Sequence, residues 1–281
     1  MANGRVATNF DHGQGETARR ISAAISPCGL NAGHGQKACN PLGGIFSRSH
    51  LRLFQRSLNM KNYSWGAIFD WDGVIIDSAA YHEESWERLA MEEKKPLPPG
   101  YFQKSFGMKN ERIIPEILRW SVELEEIKRV SLRKEACYRE ILKERGIQAL
   151  PGVLPWLKQL KRAGIPCVVG SSTHRRNIEV ILDLIGLNSY FSDLVTSEDV
   201  VHGKPHPEVF LAAAKRINRL PWQCVVFEDA HVGIEAAHAG QMRAVAVTTT
   251  HPRSSFKTAD LVVRQLDELS VDQIDAWFAK S

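Results

Sequence analysis

Ile68-Phe69-Asp70-Trp71-Asp72-Gly73-Val74 is the stretch on which both fold and chemistry turn. The apolar run 67–69 reads as a short buried strand, and two carboxylates sit two residues apart where it ends. Side chains at i and i+2 of extended backbone point to one side, so Asp70 and Asp72 can face one ligand together. Two plainer readings compete. One is a solvated, Asp-rich turn. The other is a calcium loop, against which Val74 stands where an EF-hand loop needs a further oxygen ligand.

Further apolar runs of strand length lie at 165–169, 193–195, 224–227, 244–247 and 261–263. Helical patterns fall between most of them, at 79–94, 175–186, 207–217 and 231–239. Strands alternating with helices argue for an α/β protein with a parallel sheet, whose ligands bind beyond the carboxyl ends of the strands. One stretch breaks the alternation. From 79 to 148 only helical signals occur, with charged amphipathic patterns at 111–120 and 123–144, and Pro151-Gly152 marks the return. The expected architecture is therefore a Rossmann-like parallel-sheet core, residues 61–78 and 149–281, carrying an inserted small helical cap domain, residues 79–148.

Three more motifs fall where a site at the strand ends would need them. Val168-Val169-Gly170-Ser171-Ser172-Thr173 ends a strand in small hydroxyl residues ahead of a helix, and Ser171 and Ser172 with nearby N–H groups suit a phosphate oxygen. A plain N-cap run reads the same way. Gly203-Lys204-Pro205-His206-Pro207-Glu208 holds Lys204 between turn residues as a fixed positive charge; the plain alternative is a surface lysine, and His202 and His206 read as surface residues. Val225-Val226-Phe227-Glu228-Asp229-Ala230 ends another apolar strand in two acids, suited either to a hard cation or to capping the helix that follows. Each is unremarkable alone; together they recur in one order at successive strand ends.

These four motifs give residues 66–281 a resemblance to the haloacid dehalogenase-like hydrolases, within them to the β-phosphoglucomutase and sugar-phosphate phosphatase group. The resemblance implies that Asp70 is a nucleophile forming an aspartyl phosphate and Asp72 a general acid/base. It implies that Ser171 and Lys204 bind phosphate. It also implies that Asp70, Glu228, Asp229 and a backbone carbonyl of Asp72 hold Mg2+, Asp229 more directly than Glu228. For this chemistry Asp72 has to start protonated while Asp70 is ionised, with Mg2+ and Lys204 favouring the charged form of Asp70. His82, ten residues after Asp72, has the spacing of a mutase-group histidine that couples cap closure to catalysis; a helix-surface histidine is the alternative. Lys134 resembles a substrate lysine of the cap, although a solvated helix face is the better reading. In Phe106-Gly107-Met108-Lys109-Asn110-Glu111, Asn110 stands where the mutases place a phosphate-gripping arginine, and the adjacent Lys109 cannot supply the same fork. Water is thus the expected acceptor, and a phosphatase ranks above a mutase. A dehalogenase has no need of an acid at position 72, and a binding protein would have lost one of the four motifs.

Composition bounds the rest. The 24% charged and 43% apolar residues suit a folded globular chain, and no apolar run is long enough for a transmembrane helix. The net charge of +4 sits at one end: residues 1–60 hold seven Lys or Arg against Asp11 and Glu16, a net +5, which leaves −1 for 61–281. A nucleic-acid surface is therefore not expected on the folded part. The five scattered cysteines show no metal or redox spacing. Residues 1–60 lack periodicity and read as a disordered or targeting extension: a transit peptide, a native tail, or sequence ahead of a true start at Met60. Gly13-Gln14-Gly15-Glu16-Thr17-Ala18 and Gly33-His34-Gly35-Gln36-Lys37-Ala38 match a dinucleotide fingerprint, but no strand pattern precedes either. The expected protein is a cytoplasmic monomer or weak dimer, or an organellar one if the extension is a transit peptide. Its partner is a small phosphorylated metabolite, with neither nucleic acid nor membrane. A chain beginning at Met60 is expected to fold and keep full activity. Chemical denaturation checks this, since a fall of more than about 1 kcal/mol exceeds what surface changes cause and would mean the extension docks on the domain.

Overall fold

The computed structural model describes residues 63–105 and 108–279. The readings of residues 1–60, both glycine decoys, Met60 and Phe106-Gly107 lie outside the described residues.

Six parallel strands form one sheet in the order β3-β2-β1-β4-β5-β6. They are β1 Gly66–Phe69, β2 Cys167–Gly170, β3 Asp193–Val195, β4 Cys224–Glu228, β5 Arg243–Val247 and β6 Leu261–Val263. The period of two sorts their side chains onto two cores. Ala67, Phe69, Val225, Phe227, Val245 and Val247 enter one apolar cluster. Ile68, Cys224, Val226, Ala244 and Ala246 enter the other, on the opposite face. Burial on both faces is why these strands read as continuous apolar runs rather than alternating ones. The chain order changes direction between β1 and β4, and the crevice beyond such a switch point is where ligands bind in sheets of this kind.

Between β1 and β2 come α1 Ala79–Glu93, α2 Tyr101–Ser105 and α3 Leu124–Arg145. These helices have an apolar cluster of their own, including Trp86, Leu89, Ile114, Ile127 and Val130. Glu125 and Glu126 begin α3, and Lys143 and Arg145 end it, both in keeping with the helix dipole. The chain leaves and re-enters the sheet layer side by side: Ile76 bridges Ala149, and Leu150 N–H donates to Ile75 C=O at 2.8 Å.

The expected helix at 111–120 takes a different form. Asn110–Arg112 is α-helical, Ile113–Leu118 winds as a π-helix, and Arg119 closes it in the left-handed region at φ 55°. Pro115 accounts for the break, because it lacks an N–H and its ring crowds the preceding turn. The stretch after Pro151-Gly152 holds a helix not among those expected, α4 Val153–Ala163, whose Val153, Trp156, Leu157 and Leu160 are buried. The remaining α-helices among the described residues are α5 Arg175–Ile185, α6 Glu208–Arg216, α7 His231–Ala239 and α8 Val271–Asp275.

Phe227 lies at the centre of this packing, stacked on Phe69 at 4.7 Å and edge-on to Trp156 at 6.0 Å. Phe227→Ala is expected to cost about 3–5 kcal/mol, the range for emptying an aromatic from a closed core, as read from a urea midpoint.

Candidate active site

Hydrogen bonding carries β1 straight into the site. Asp70 N–H donates to Phe227 C=O of β4 at 2.9 Å, so the nucleophile candidate leaves the sheet while still held by it. Its carboxylate meets Lys204: Nζ donates to Asp70 Oδ1 at 2.7 Å and to Glu228 Oε1 at 2.6 Å. The other oxygen of Glu228 accepts from the N–H groups of Asp229 and Ala230, at 2.8 and 2.7 Å. Both Glu228 oxygens are thus engaged, which makes Glu228 a holder of Lys204 more than a free ligand. Asp229 takes a hydrogen bond from Thr250. Lys204 follows Gly203 and leads into a cis peptide bond with Pro205.

Two glycines let these groups approach. Gly73 has φ +79°, and a Cβ there would lie 1.9 Å from Asp229 Oδ2. A Cβ on Gly233 would lie 1.8 Å from Glu228 Oε1. The glycine of the first motif and the glycine after the last one are therefore both required by the acids across the site.

Asp70, Glu228 and Asp229 are buried, and each offers a carboxylate oxygen within 4.8 Å of the others. Burial pushes the Asp70 carboxyl well above its usual range; Lys204 opposes this, while Glu228, Asp229 and Asp72 add to it. Burial, with Glu228, also raises Asp229, to about 7. One ammonium does not balance three carboxylates, and an all-oxygen donor set with surplus negative charge is what a hard divalent cation requires. The residues present fit Mg2+.

Asp72 is treated differently. It accepts from Ser78 and from Thr173, and His82 Nε2 lies 3.9 Å from its Oδ1. Burial would raise its carboxyl, but His82, Ser78 and Thr173 outweigh this and hold it below the usual value. Protein groups alone therefore reverse the expected order, favouring protonation on Asp70 and ionisation on Asp72. The reason is that burial and the neighbouring acids outweigh Lys204 at Asp70, whereas His82, Ser78 and Thr173 outweigh burial at Asp72. The expected order needs positive charge beside Asp70 and negative charge brought to Asp72.

Ser171 is buried and its Oγ accepts from Thr173 N–H at 3.1 Å; Ser172 is half-buried. His202 and His206 are exposed, as expected.

The helices of the insertion depart more from expectation. Lys134 is not on a solvated face: it is 3% exposed, its Nζ lies 2.7 Å from His82 Nδ1, and it donates to Glu135 Oε1 at 3.0 Å. Neither is His82 a surface histidine, since it stacks on Tyr138 at 4.1 Å. Burial and Lys134 lower its pKa, against the pull of Asp72. Asn110 is also buried, and its amide donates to Glu135 Oε1 at 2.7 Å and to Ser131 Oγ at 3.1 Å. Lys109 beside it is half-buried. Glu135 accepts as well from Asn177 of α5, so one carboxylate ties α3 to a helix of the sheet layer.

Sequence reasoning missed Ser78, Thr173, Thr250, Glu135 and Asn177. Thr173 lay inside a quoted motif, and Thr250 follows the end of β5, where the strand-end rule would have found it. Glu135 and Asn177 carried no signal, because each is one polar residue on an amphipathic helix.

The four strand-end motifs thus converge beyond β1, β2 and β4. Gly73→Ala is expected to cost more than about 1 kcal/mol through backbone strain and to weaken stabilisation by Mg2+ by pushing Asp229 aside. Denaturation curves with and without Mg2+ check both.

Residues 66–241 match the family described as haloacid dehalogenase-like hydrolase. The chain is 40% identical over 209 residues to a 5-amino-6-(5-phospho-D-ribitylamino)uracil phosphatase, chloroplastic, of Arabidopsis thaliana; the match covers 73% of this chain and 56% of that longer protein. It is 31% identical over 220 residues to a β-phosphoglucomutase of Bacillus subtilis, covering 75% and 94% of the two chains. The crystal structure of a β-phosphoglucomutase from Clostridium difficile superposes with a TM-score of 0.66 at 28% identity, over 76% of this chain and 97% of that one. Motifs, sheet order and these matches agree, and the chain belongs to the haloacid dehalogenase-like hydrolases.

Proposed function

We propose that the chain is a Mg2+-dependent phosphatase of small phosphorylated metabolites, sugar or polyol phosphates, acting through an aspartyl phosphate on Asp70. The observation that carries this is Asp70 just past the central strand, with Lys204 at 2.7 Å and Glu228 and Asp229 beside it. Mg2+ held by Asp70 and Asp229 would supply neutralisation of the transferring phosphoryl oxygens.

The protein groups do the rest. Lys204 and the Ser171 hydroxyl hold phosphoryl oxygens in line with Asp70. A carboxylate oxygen of Asp70 attacks phosphorus, and the ester P–O bond breaks as Asp72 gives its proton to the departing alkoxide. Asp72 takes that proton from solvent as the phosphate dianion arrives, since a like charge nearby favours its neutral form. Water then attacks phosphorus, Asp72 takes up the water's proton, and the Asp70 carboxylate leaves. Ser78 and Thr173 keep Asp72 aimed through both steps. The helices at 79–148 act as a cap, with His82 carrying its position to Asp72.

A mutase has to hold a second phosphate against water. Here the Asn110 amide is committed to Glu135 and Ser131, and Lys134 to His82 and Glu135. The buried Glu135 is anionic: burial would raise it, but Lys134, His82, Asn110 and Asn177 bring it to about 2. A second phosphate would meet that charge with the Asn110 amide and Lys134 already engaged, so water is the acceptor. The substrate named for the Arabidopsis relative, a phosphorylated ribityl chain on a uracil, belongs to the polyol phosphate class proposed. The acid-poor residues 1–60 suit an organellar address, in line with the location named for that relative.

Asp70→Asn is expected to lower turnover by several orders of magnitude, and excess chelator to abolish it until Mg2+ is restored. Product analysis on β-glucose 1-phosphate with trace bisphosphate primer tests the acceptor. Release of free phosphate faster than formation of glucose 6-phosphate supports the phosphatase; the opposite order establishes the mutase.

A further inference from the structure

Among the described residues a second group of metal-ligating side chains converges outside the site above. His202, His206 and Glu208 each offer one ligand atom, and the three atoms lie within 4.8 Å of one another. They bracket Lys204 in the sequence, two residues to either side and at the start of α6. Lys204 turns inward and is buried against Asp70 and Glu228, whereas both histidines stand on the outer surface.

The group is already arranged. His202 Nδ1 lies 2.9 Å from Glu208 Oε2, and His206 Nδ1 lies 3.8 Å from the same oxygen. The two imidazole rings are 4.6 Å apart. Backbone N–H groups of Val201 and His202 donate to Oε1 and Oε2 of Glu208, at 3.0 and 2.9 Å. Those bonds fix the carboxylate's direction, the supporting role that outer hydrogen bonds play at metal centres, while the contact of His202 Nδ1 with Oε2 and a 3.3 Å hydrogen bond from Glu208 N–H to His206 Nδ1 hold the imidazoles until a cation replaces them.

Two imidazole nitrogens and one carboxylate match Zn2+, which takes N and O ligands at about 2.0–2.2 Å in tetrahedral geometry and leaves a fourth position for water. Ligand atoms so bonded stand about 3.4 Å apart by that geometry. The 2.9 and 3.8 Å separations found here straddle that value, and both imidazoles are exposed. Mg2+ is a poor occupant, since it prefers oxygen ligands and near-octahedral water-rich coordination. The acidic cluster at Asp70 has the opposite preference, so the two groups sort hard from borderline cations.

We propose that His202, His206 and Glu208 form a surface Zn2+ site, distinct from the Asp70 cluster, that clips the loop presenting Lys204. A cation there links residue 202 to residues 206 and 208, and so fixes both ends of the segment that carries the lysine. The site would take Ni2+ or Cu2+ as well, in keeping with imidazole ligation.

The test titrates full-length protein with Zn2+ against a chromophoric chelator in millimolar Mg2+, comparing wild type with H202A/H206A. Cysteines and other histidines of the chain can also bind Zn2+, so the quantity read is the difference between the two proteins. The proposal expects wild type to bind one further equivalent with Kd on the order of 1 µM, and that equivalent to weaken more than about 100-fold in the variant, beyond the 10–100-fold that loss of an outer partner causes. Asp229→Asn is expected to retain it. Nitrogen-15 spectra of wild type locate the ion independently of any folding defect in the variant, with the His202 and His206 imidazole signals shifting together on Zn2+ addition. Equal Zn2+ binding by wild type and variant, displacement of the extra equivalent by Mg2+, or shifts confined to other histidines would each overturn the proposal.

Discussion

The Lys204 ammonium, held between Asp70 just past β1 and Glu228 at the end of β4, is the interaction on which the rest of the site depends. It joins two adjacent strands at the point where the sheet order reverses, and it does so in a buried place. Removing one partner of such a pair strands an uncompensated charge and costs about 3–5 kcal/mol. The surrounding backbone is shaped to make the contact possible. Gly233 leaves the space that Glu228 fills, Gly73 leaves the space that Asp229 fills, and two N–H groups at the head of α7 hold the other Glu228 oxygen. One lysine still leaves negative charge unbalanced, which a hard divalent cation would offset.

A second set of contacts connects the helices at 79–148 to this centre. His82 faces Asp72, Lys134 faces His82, and Glu135 reaches Asn177 on α5. The single antiparallel bridge between Ile76 and Ala149 brings the two connections of that segment together. Tyr138 and Leu142 of α3 also enter the apolar cluster that holds Phe69 and Phe227, so these helices meet the sheet layer through apolar packing as well as polar contacts.

Most of the sheet was legible because its strands are short, apolar and buried on both faces, each followed by chemistry-bearing residues. Asp70, Lys204 and Asp229 could be singled out for the same reason: each stands just past an apolar run or between turn residues. The helix at Val153–Ala163 was equally readable from Val153, Trp156, Leu157 and Leu160, but the turn before it drew the reading away. The π-helical stretch was not read, although Pro115 within it signals a break. The network around Glu135 was beyond reach, since nothing in one sequence says that a lysine and a glutamate on a charged helix turn inward. Lys134 looked solvated because its neighbours Arg133 and Glu140 are, and they pair with each other on the outer face.

The central claim is that the phosphoryl group passes through the Asp70 carboxylate. Mixing the enzyme with substrate, quenching during the first turnovers and reducing with borohydride converts an acyl phosphate to an alcohol, which peptide mass spectrometry locates. The account predicts that the carboxyl of Asp70 alone is reduced, and only when substrate and Mg2+ are both present. Reduction at another carboxyl, or none under conditions of rapid phosphate release, would contradict it.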